Sequence, residues 1–295
     1  MTQAVTSPLA TPTPQQGHQP LLTERDPTPF THWPETRPTD IVLVCDHGGR
    51  AIPEKLGTMG LSEQDRGRHI AWDIGIAAVA RRLQGRLGCA LLLQNYSRLV
   101  VDCNRAPHHA TLMAPVSDHT AVPANQALSS AQRQARLDAI YHPYHEAIAH
   151  CLEGRARQGR PTLFVSLHSF TPEMDGFKRP WHLGLLHHHD PQSAQTMAAL
   201  LAGKQAMDGA PLVVGSNQPY ALSPESEFTT IHHAAQRQLP ALEIELRQDL
   251  LAGQAGQAFW ADMLAEALPR FLAERALDQG ACSEHPTPNA THHEP

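Results

Sequence analysis

Four short apolar runs, each closing on polar side chains able to do chemistry, constrain this 295-residue chain more than any other feature. Ile41 to Cys45 (IVLVC) reads as a buried strand that stops at Asp46, His47 and two glycines, which permit a sharp turn. Arg98 to Asp102 (RLVVD) reads as a second, with Asn104 and Arg105 just beyond it. Thr162 to His168 (TLFVSLH) and Ala241 to Leu246 (ALEIEL) read as two more, the first ending on His168 and the second carrying Glu243 and Glu245. Ala90 to Gln94, His182 to Leu186 and Pro211 to Gly215 add further strands. Between them the apolar spacing turns helical: over Asp73 to Leu87, over Ser130 to Arg157, from Thr229, and through Phe259 to Leu272. The helix over Ser130 to Arg157 is expected to kink at Pro143, which has no backbone N–H to donate.

Strands alternating with helices imply an α/β fold: a single domain with a mixed, mainly parallel sheet and helices on both faces. Ligands of such sheets bind beyond the carboxyl ends of the strands. The polar residues that close the runs, drawn from distant segments, are therefore expected to meet at one rim. The folded domain is expected over residues 38–277. Residues 1–37, rich in Pro, Thr and Gln and without periodicity, read as a loose leader, and residues 278–295 as a loose tail.

Composition bounds the function. A formal charge of −6 argues against a general nucleic-acid binder. No apolar stretch approaches ~18 residues, so no membrane span is expected, and the N-terminus lacks the basic and apolar regions of a secretory signal. The five cysteines form no CxxC pair and sit mostly in apolar runs, which fits reduced thiols in a cytoplasmic protein.

His47 and His168, each beside the end of a strand, are candidate metal ligands. Catalytic zinc sites commonly add a carboxylate and leave a position open, and either Asp73 or Asp46 can supply it. Glu245 is the candidate general base, sharing a strand face with Glu243 and Arg247. The planar forks of Arg98 and Arg105 suit carboxylates, with Arg179 as a third partner. Together they lead to the expectation of a locally positive pocket beside the metal. His142 and His145 in YHPYH are assigned to capping or packing, and His187 to His189 to a solvated loop.

The segments DHGGRAIP, HIAWDIG, SRLVVDCNRAP, YHPYH, SLHSFTP with KRPWHLGLL, NQPYAL and LPALEIELRQDL run in this order from Ile41 to Leu251. In that set and order the chain resembles the N-formylglutamate amidohydrolases, and more distantly it is similar to aspartoacylases and zinc carboxypeptidases, whose mixed α/β sheet the resemblance implies. It implies His47 and His168 as ligands of zinc or another divalent ion, Glu245 as the base, and Arg98, Asn104 and Arg105 as substrate contacts. The His-x-x-Glu pair of carboxypeptidases is missing, since Arg50 stands where the glutamate would be, and Asp73 is the replacement considered. DHGG in place of an HSG form leaves the acyl group and amino acid open. The function expected is metal-dependent hydrolysis of the N-acyl amide of a small acidic amino acid. The alternatives are an amidase or peptidase acting on a peptide or cell-wall fragment, and a non-catalytic ligand-binding protein.

Overall fold

The computed structural model describes residues 20–224 and 226–283, with side chains described as far as 277. The chain opens with strand β1 (Phe30–Trp33) and continues through β2 (Ile41–Cys45), helix α1 (Glu63–Gly67), α2 (Ile76–Leu87) and β3 (Ala90–Gln94). A hairpin of β4 (Val116–Ser117) and β5 (Thr120–Ala121) precedes α3 (Ser130–Arg136) and α4 (His142–Arg157). Next come β6 (Leu163–Phe170), a second hairpin of β7 (Glu173–Met174) and β8 (Phe177–Lys178), β9 (Leu183–Leu186) and α5 (Pro191–Leu201). The last elements are β10 (Val214–Ser216), α6 (Phe228–His233), β11 (Ala241–Arg247) and α7 (Gln254–Ser283). Among the described residues no helix is long and apolar enough to cross a membrane.

Seven strands form one sheet in the order β1-β3-β2-β6-β11-β9-β10. The four central strands β3, β2, β6 and β11 run parallel, while β1 and β9 are antiparallel to their neighbours β3 and β11. This is the mixed, mainly parallel α/β sheet expected from the alternation of runs. The two-residue period of a strand divides each central strand between two cores. Ile41, Leu43 and Cys45 join Val165, Leu167, Leu242 and Ile244 in the core under α2, α5 and α7. Val42, Val44 and Phe164 face the other core, with Ile140, Tyr144 and Ile148 from the α3–α4 region. On that second face, toward the carboxyl ends, the apolar residues give way to Ser166, His168, Glu243 and Glu245. The sheet register sets Glu243 opposite Ser166 and Glu245 opposite His168.

Four local features differ from the sequence reading. RLVVD is a buried turn rather than a strand: Val100 N–H donates to Ser97 O, Leu99 N–H to Ser97 Oγ, and Ser97 Oγ–H to Ala71 O. Leu99, Val100 and Val101 are buried by packing, so an apolar run with a strand's composition is satisfied without a ladder. The break near Pro143 takes the form of a π-helical turn, Leu137–Tyr141, just before it. The expected leader boundary at residue 37 falls after β1, which pairs with β3 from Phe30 opposite Gln94 to Trp33 opposite Leu91. Tyr96 Oη–H also donates to Pro27 O at 2.6 Å. Likewise α7 runs beyond residue 277. The rest of the expected leader and tail, residues 1–19 and 284–295, lies outside the described residues.

Gly49 lets the turn after β2 lie against the strand-end segment that follows β3. A Cβ there would fall 2.1 Å from the Asn95 carbonyl carbon and oxygen. Gly49→Ala should therefore destabilise by about 1–3 kcal/mol or more. Gly85→Ala, in helix α2 with open space around it, should stabilise by about 0.5–1 kcal/mol. Denaturant melts of the two variants check this; a Gly49→Ala protein as stable as wild type would contradict the packing described.

Candidate active site

Beyond the carboxyl ends of β2, β6 and β11 lies a cavity of about 540 Å³. His47, Asp73, Arg98, Arg105, His168 and Glu245 all line it, so six of the candidates from distant segments meet there. The two hairpins wall its mouth through Val116, Ser117, Asp118 and Met174.

The turn after β2 brings His47 O to accept from Asp73 N–H at 2.9 Å, and so seats the start of the α2 segment beside the strand end. Asp73 Oδ2 lies 3.1 Å from His168 Nδ1 and also accepts from Ser169 N–H at 3.1 Å. Asp73 Oδ1 lies 3.6 Å from His47 Nδ1. One donor atom from each of His47, Asp73 and His168 lies within 4.8 Å of the others, and all three residues are buried.

Each imidazole is anchored through its other nitrogen. His47 Nε2 bonds Asp102 Oδ1 at 2.6 Å. His168 Nε2 lies 3.2 Å from Asp46 Oδ2 and 3.1 Å from Ser166 Oγ. Carboxylates behind histidines in this way fix ring orientation and raise ligand basicity. Both Nδ1 atoms then lie beside the Asp73 carboxylate, and His47 Nδ1 is buried without a hydrogen-bond partner. Such a nitrogen carries a desolvation cost unless something binds it. Tetrahedral zinc with nitrogen ligands at ~2.0–2.1 Å sets neighbouring donors about 3.3 Å apart. His168 Nδ1 lies 3.1 Å from Asp73 Oδ2 and His47 Nδ1 lies 3.6 Å from Asp73 Oδ1, so each imidazole stands near that spacing from a different oxygen of the one carboxylate. The donor set fits a divalent ion. Between the two carboxylates left open by the sequence, the geometry favours Asp73, because Asp46 is turned away: its Oδ1 accepts from Thr229 Oγ1–H at 2.9 Å and its Oδ2 backs His168.

Arg98 is oriented by a two-point bond to Asp102 Oδ2, from Nε at 3.2 Å and Nη2 at 2.8 Å. Its Nη1 lies 3.5 Å from Asp73 Oδ1. Burial alone would raise the Asp102 carboxyl, but Arg98 and His47 beside it hold it well below the usual carboxylate range. Glu245 has the opposite surroundings. Burial pushes its carboxyl well up, only partly opposed by His168, and its Oε2 has no hydrogen-bond partner. Glu243, raised to about 8 by burial and by Glu227, bonds Thr230 Oγ1 at 2.5 Å and does not line the cavity.

The remaining expected contacts are placed differently. The Asn104 amide is fully buried and spent within the protein, its Oδ1 accepting from Thr229 N–H at 2.9 Å and its Nδ2–H donating to Glu227. Arg179 sits behind the cavity wall, donating to Thr171 Oγ1 and Tyr220 Oη at 3.0 Å each, with its guanidinium 5.0 Å from the Tyr220 ring centre. Arg105 lines the cavity, but Glu227 Oε1 lies 3.6 Å from its Nη1, which also donates to Ser226 O. The locally positive pocket expected from the sequence is thus balanced from within. Glu227 itself went unread: SPESEF looks like an ordinary loop, and only the fold brings it to Asn104 and Arg105. Burial raises its carboxyl to about 7 against the pull of Arg105. His145 has the packing role assigned to it, bonded to Cys103 O at 2.9 Å and His233 Nε2 at 3.0 Å.

A family model described as N-formylglutamate amidohydrolase matches residues 39–252. The crystal structure of a gene product from Agrobacterium tumefaciens is similar at 36% identity with a TM-score of 0.80, covering 87% of this chain and 99% of that one. That of an N-formylglutamate amidohydrolase from Ralstonia eutropha is similar at 21% identity with a TM-score of 0.62, covering 84% of this chain and 99% of that one, a likeness of fold. No curated protein matches the chain.

Because Asp102 orients both His47 and Arg98, Asp102→Asn should weaken zinc binding by about 10–100-fold, read by competition with a chromogenic chelator. Asp118→Asn, in the Asp118, His119 and Asp175 group at the mouth, of which Asp118 is half-buried and the other two exposed, should leave that affinity unchanged. Equal losses in the two variants would remove the special role given to Asp102.

Proposed function

Since the chain belongs to the N-formylglutamate amidohydrolase family and so hydrolyses amides, we propose that it does this with a divalent ion, zinc by the chemistry of its donors, on a small N-acyl amino acid. His47 Nδ1, His168 Nδ1 and an oxygen of Asp73 would hold the ion. When bound, it supplies Lewis acidity toward the scissile carbonyl and acidifies the attacking water. Glu245 takes the proton of that water as its oxygen bonds to the acyl carbon. The same carboxyl returns the proton to the leaving nitrogen as the C–N bond breaks, leaving a carboxylate and an amino acid. Burial, which pushes the Glu245 carboxyl well up, favours the protonated form that delivers the proton to the leaving nitrogen. Arg98, held beside Asp73 by Asp102, donates to the amide oxygen as negative charge develops on it. Arg105 is the guanidinium left on the lining for the substrate α-carboxylate.

The observation that carries this reading is the pair of buried atoms without partners, His47 Nδ1 and Glu245 Oε2, in residues lining one cavity. A structural histidine and a structural glutamate would each be expected to find a partner. The cavity of about 540 Å³, with two hairpins at its mouth, supports a small substrate over a peptide or cell-wall fragment. Cys45, Cys89, Cys103 and Cys151 are free thiols, which supports the reducing environment of the cytoplasm as the place of action.

Chelator-treated protein should lose hydrolysis of N-formyl amino acids and regain it with added zinc. Glu245→Gln should keep its zinc yet turn over about 10²-fold or more slowly. Full activity after chelation, or in the Glu245→Gln protein, would overturn the proposal.

A further inference from the structure

Charge on the cavity lining is distributed unlike that of a site for dicarboxylates. Five acidic side chains line it (Asp73, Asp102, Asp118, Glu227 and Glu245), Asp118 being paired with Arg68 at 2.6 Å, against two guanidinium groups, Arg98 and Arg105, and the lining holds no lysine. Arg98 is committed to Asp102 and Asp73. Arg179, the third arginine considered for a carboxylate, is behind Tyr220. Only Arg105 remains, and Glu227 faces it. A divalent ion at the histidines would be taken by Asp73 and the scissile carbonyl, so Arg105 is the cation left on the lining for a substrate carboxylate.

Glu227 cannot readily turn away. The segment that carries it is fastened to the turn after Asp102 by three bonds: Phe228 N–H to Asn104 O at 3.1 Å, Thr229 N–H to Asn104 Oδ1 at 2.9 Å, and Asn104 Nδ2–H to the Glu227 carboxylate itself. Asn104 is in turn fixed by its own N–H donating to Asp102 Oδ1 at 2.9 Å. A buried amide that spends a donor on holding a carboxylate against the one remaining arginine is an arrangement for keeping that carboxylate in place.

From this we propose that Glu227 is a specificity-determining residue: paired with Arg105, it makes the pocket reject a second substrate carboxylate, so that the N-acyl amino acid cleaved has a neutral or cationic side chain. The inference rests on the N-acyl amino acid reading above and narrows it. An α-carboxylate can still use the remaining N–H groups of the Arg105 fork. A side-chain carboxylate would meet Glu227 with no further cation to offset the repulsion.

N-formylglutamine and N-formylglutamate differ only in this charge and serve as the probes, assayed at about pH 8 so that a carboxyl raised to about 7 is ionised. The zinc-loaded wild-type protein should show a kcat/KM at least about ten-fold higher for N-formylglutamine. Glu227→Gln, which keeps the size and loses the charge, should move that ratio toward N-formylglutamate by about ten-fold or more. A wild-type preference for N-formylglutamate, or an unchanged ratio in Glu227→Gln, would overturn the proposal. If neither compound is cleaved, the hydrolase reading fails separately, and calorimetric binding of the same two compounds to the wild-type protein decides the charge rule. Tighter binding of N-formylglutamine supports it; equal binding, or none, overturns it.

Discussion

The Asp102 carboxylate is the contact on which the rest of the site depends. One oxygen accepts from His47 Nε2 at 2.6 Å and from Asn104 N–H at 2.9 Å; the other accepts two N–H groups of Arg98. A buried carboxylate is costly unless its lone pairs are filled by charged or well-aligned donors, and here four donors fill them. The same bonds that make its burial tolerable turn the His47 ring so that Nδ1 faces His168 and Asp73, aim Arg98 at Asp73, and start the turn that carries Asn104. Removing this one charge would release three neighbouring groups together.

Around that contact the parallel sheet supplies rigidity. His168 and Glu245 are register partners on adjacent strands, so their separation is set by the ladder and not by loops. His47 enters from the end of a third strand, and Asp73 is pinned to its carbonyl. Gly184, opposite Glu245 in β9, allows Gln218 O to approach to 2.0 Å from where a Cβ would stand. A rigid frame of this kind keeps Glu245 and the histidines close without letting their polar atoms satisfy one another, and that explains how His47 Nδ1 and Glu245 Oε2 remain without partners.

What was legible in the sequence follows from what the strand period encodes. The alternation in TLFVSLH and ALEIEL tells which face His168 and Glu245 occupy, and the apolar runs tell that the strands are buried. RLVVD misled because a buried turn and a buried strand share a composition; only the Ser97 hydrogen bonds distinguish them. The choice between Asp46 and Asp73 lay beyond any spacing rule, since Asp73 arrives through a backbone bond across 26 residues. The charge of the pocket was illegible for a related reason. Arg98 and Arg105 stand out beside Asp102, whereas Glu227 approaches from more than a hundred residues away on a loop without periodicity. Strand β1 lay hidden in the expected leader because four residues are too few to show a period, and its partner is distant in sequence.

The position of one bound ion is the most direct consequence of this geometry. Anomalous diffraction from crystals of zinc-loaded protein should place a single strong site ~2.0–2.1 Å from His47 Nδ1 and His168 Nδ1 and within bonding distance of an Asp73 oxygen, with Asp102 still on His47 Nε2. An ion held instead through either Nε2 atom, with Asp102 or Asp46 displaced, or one bound at Asp118 and Asp175 with the His47 and His168 site empty, would contradict it.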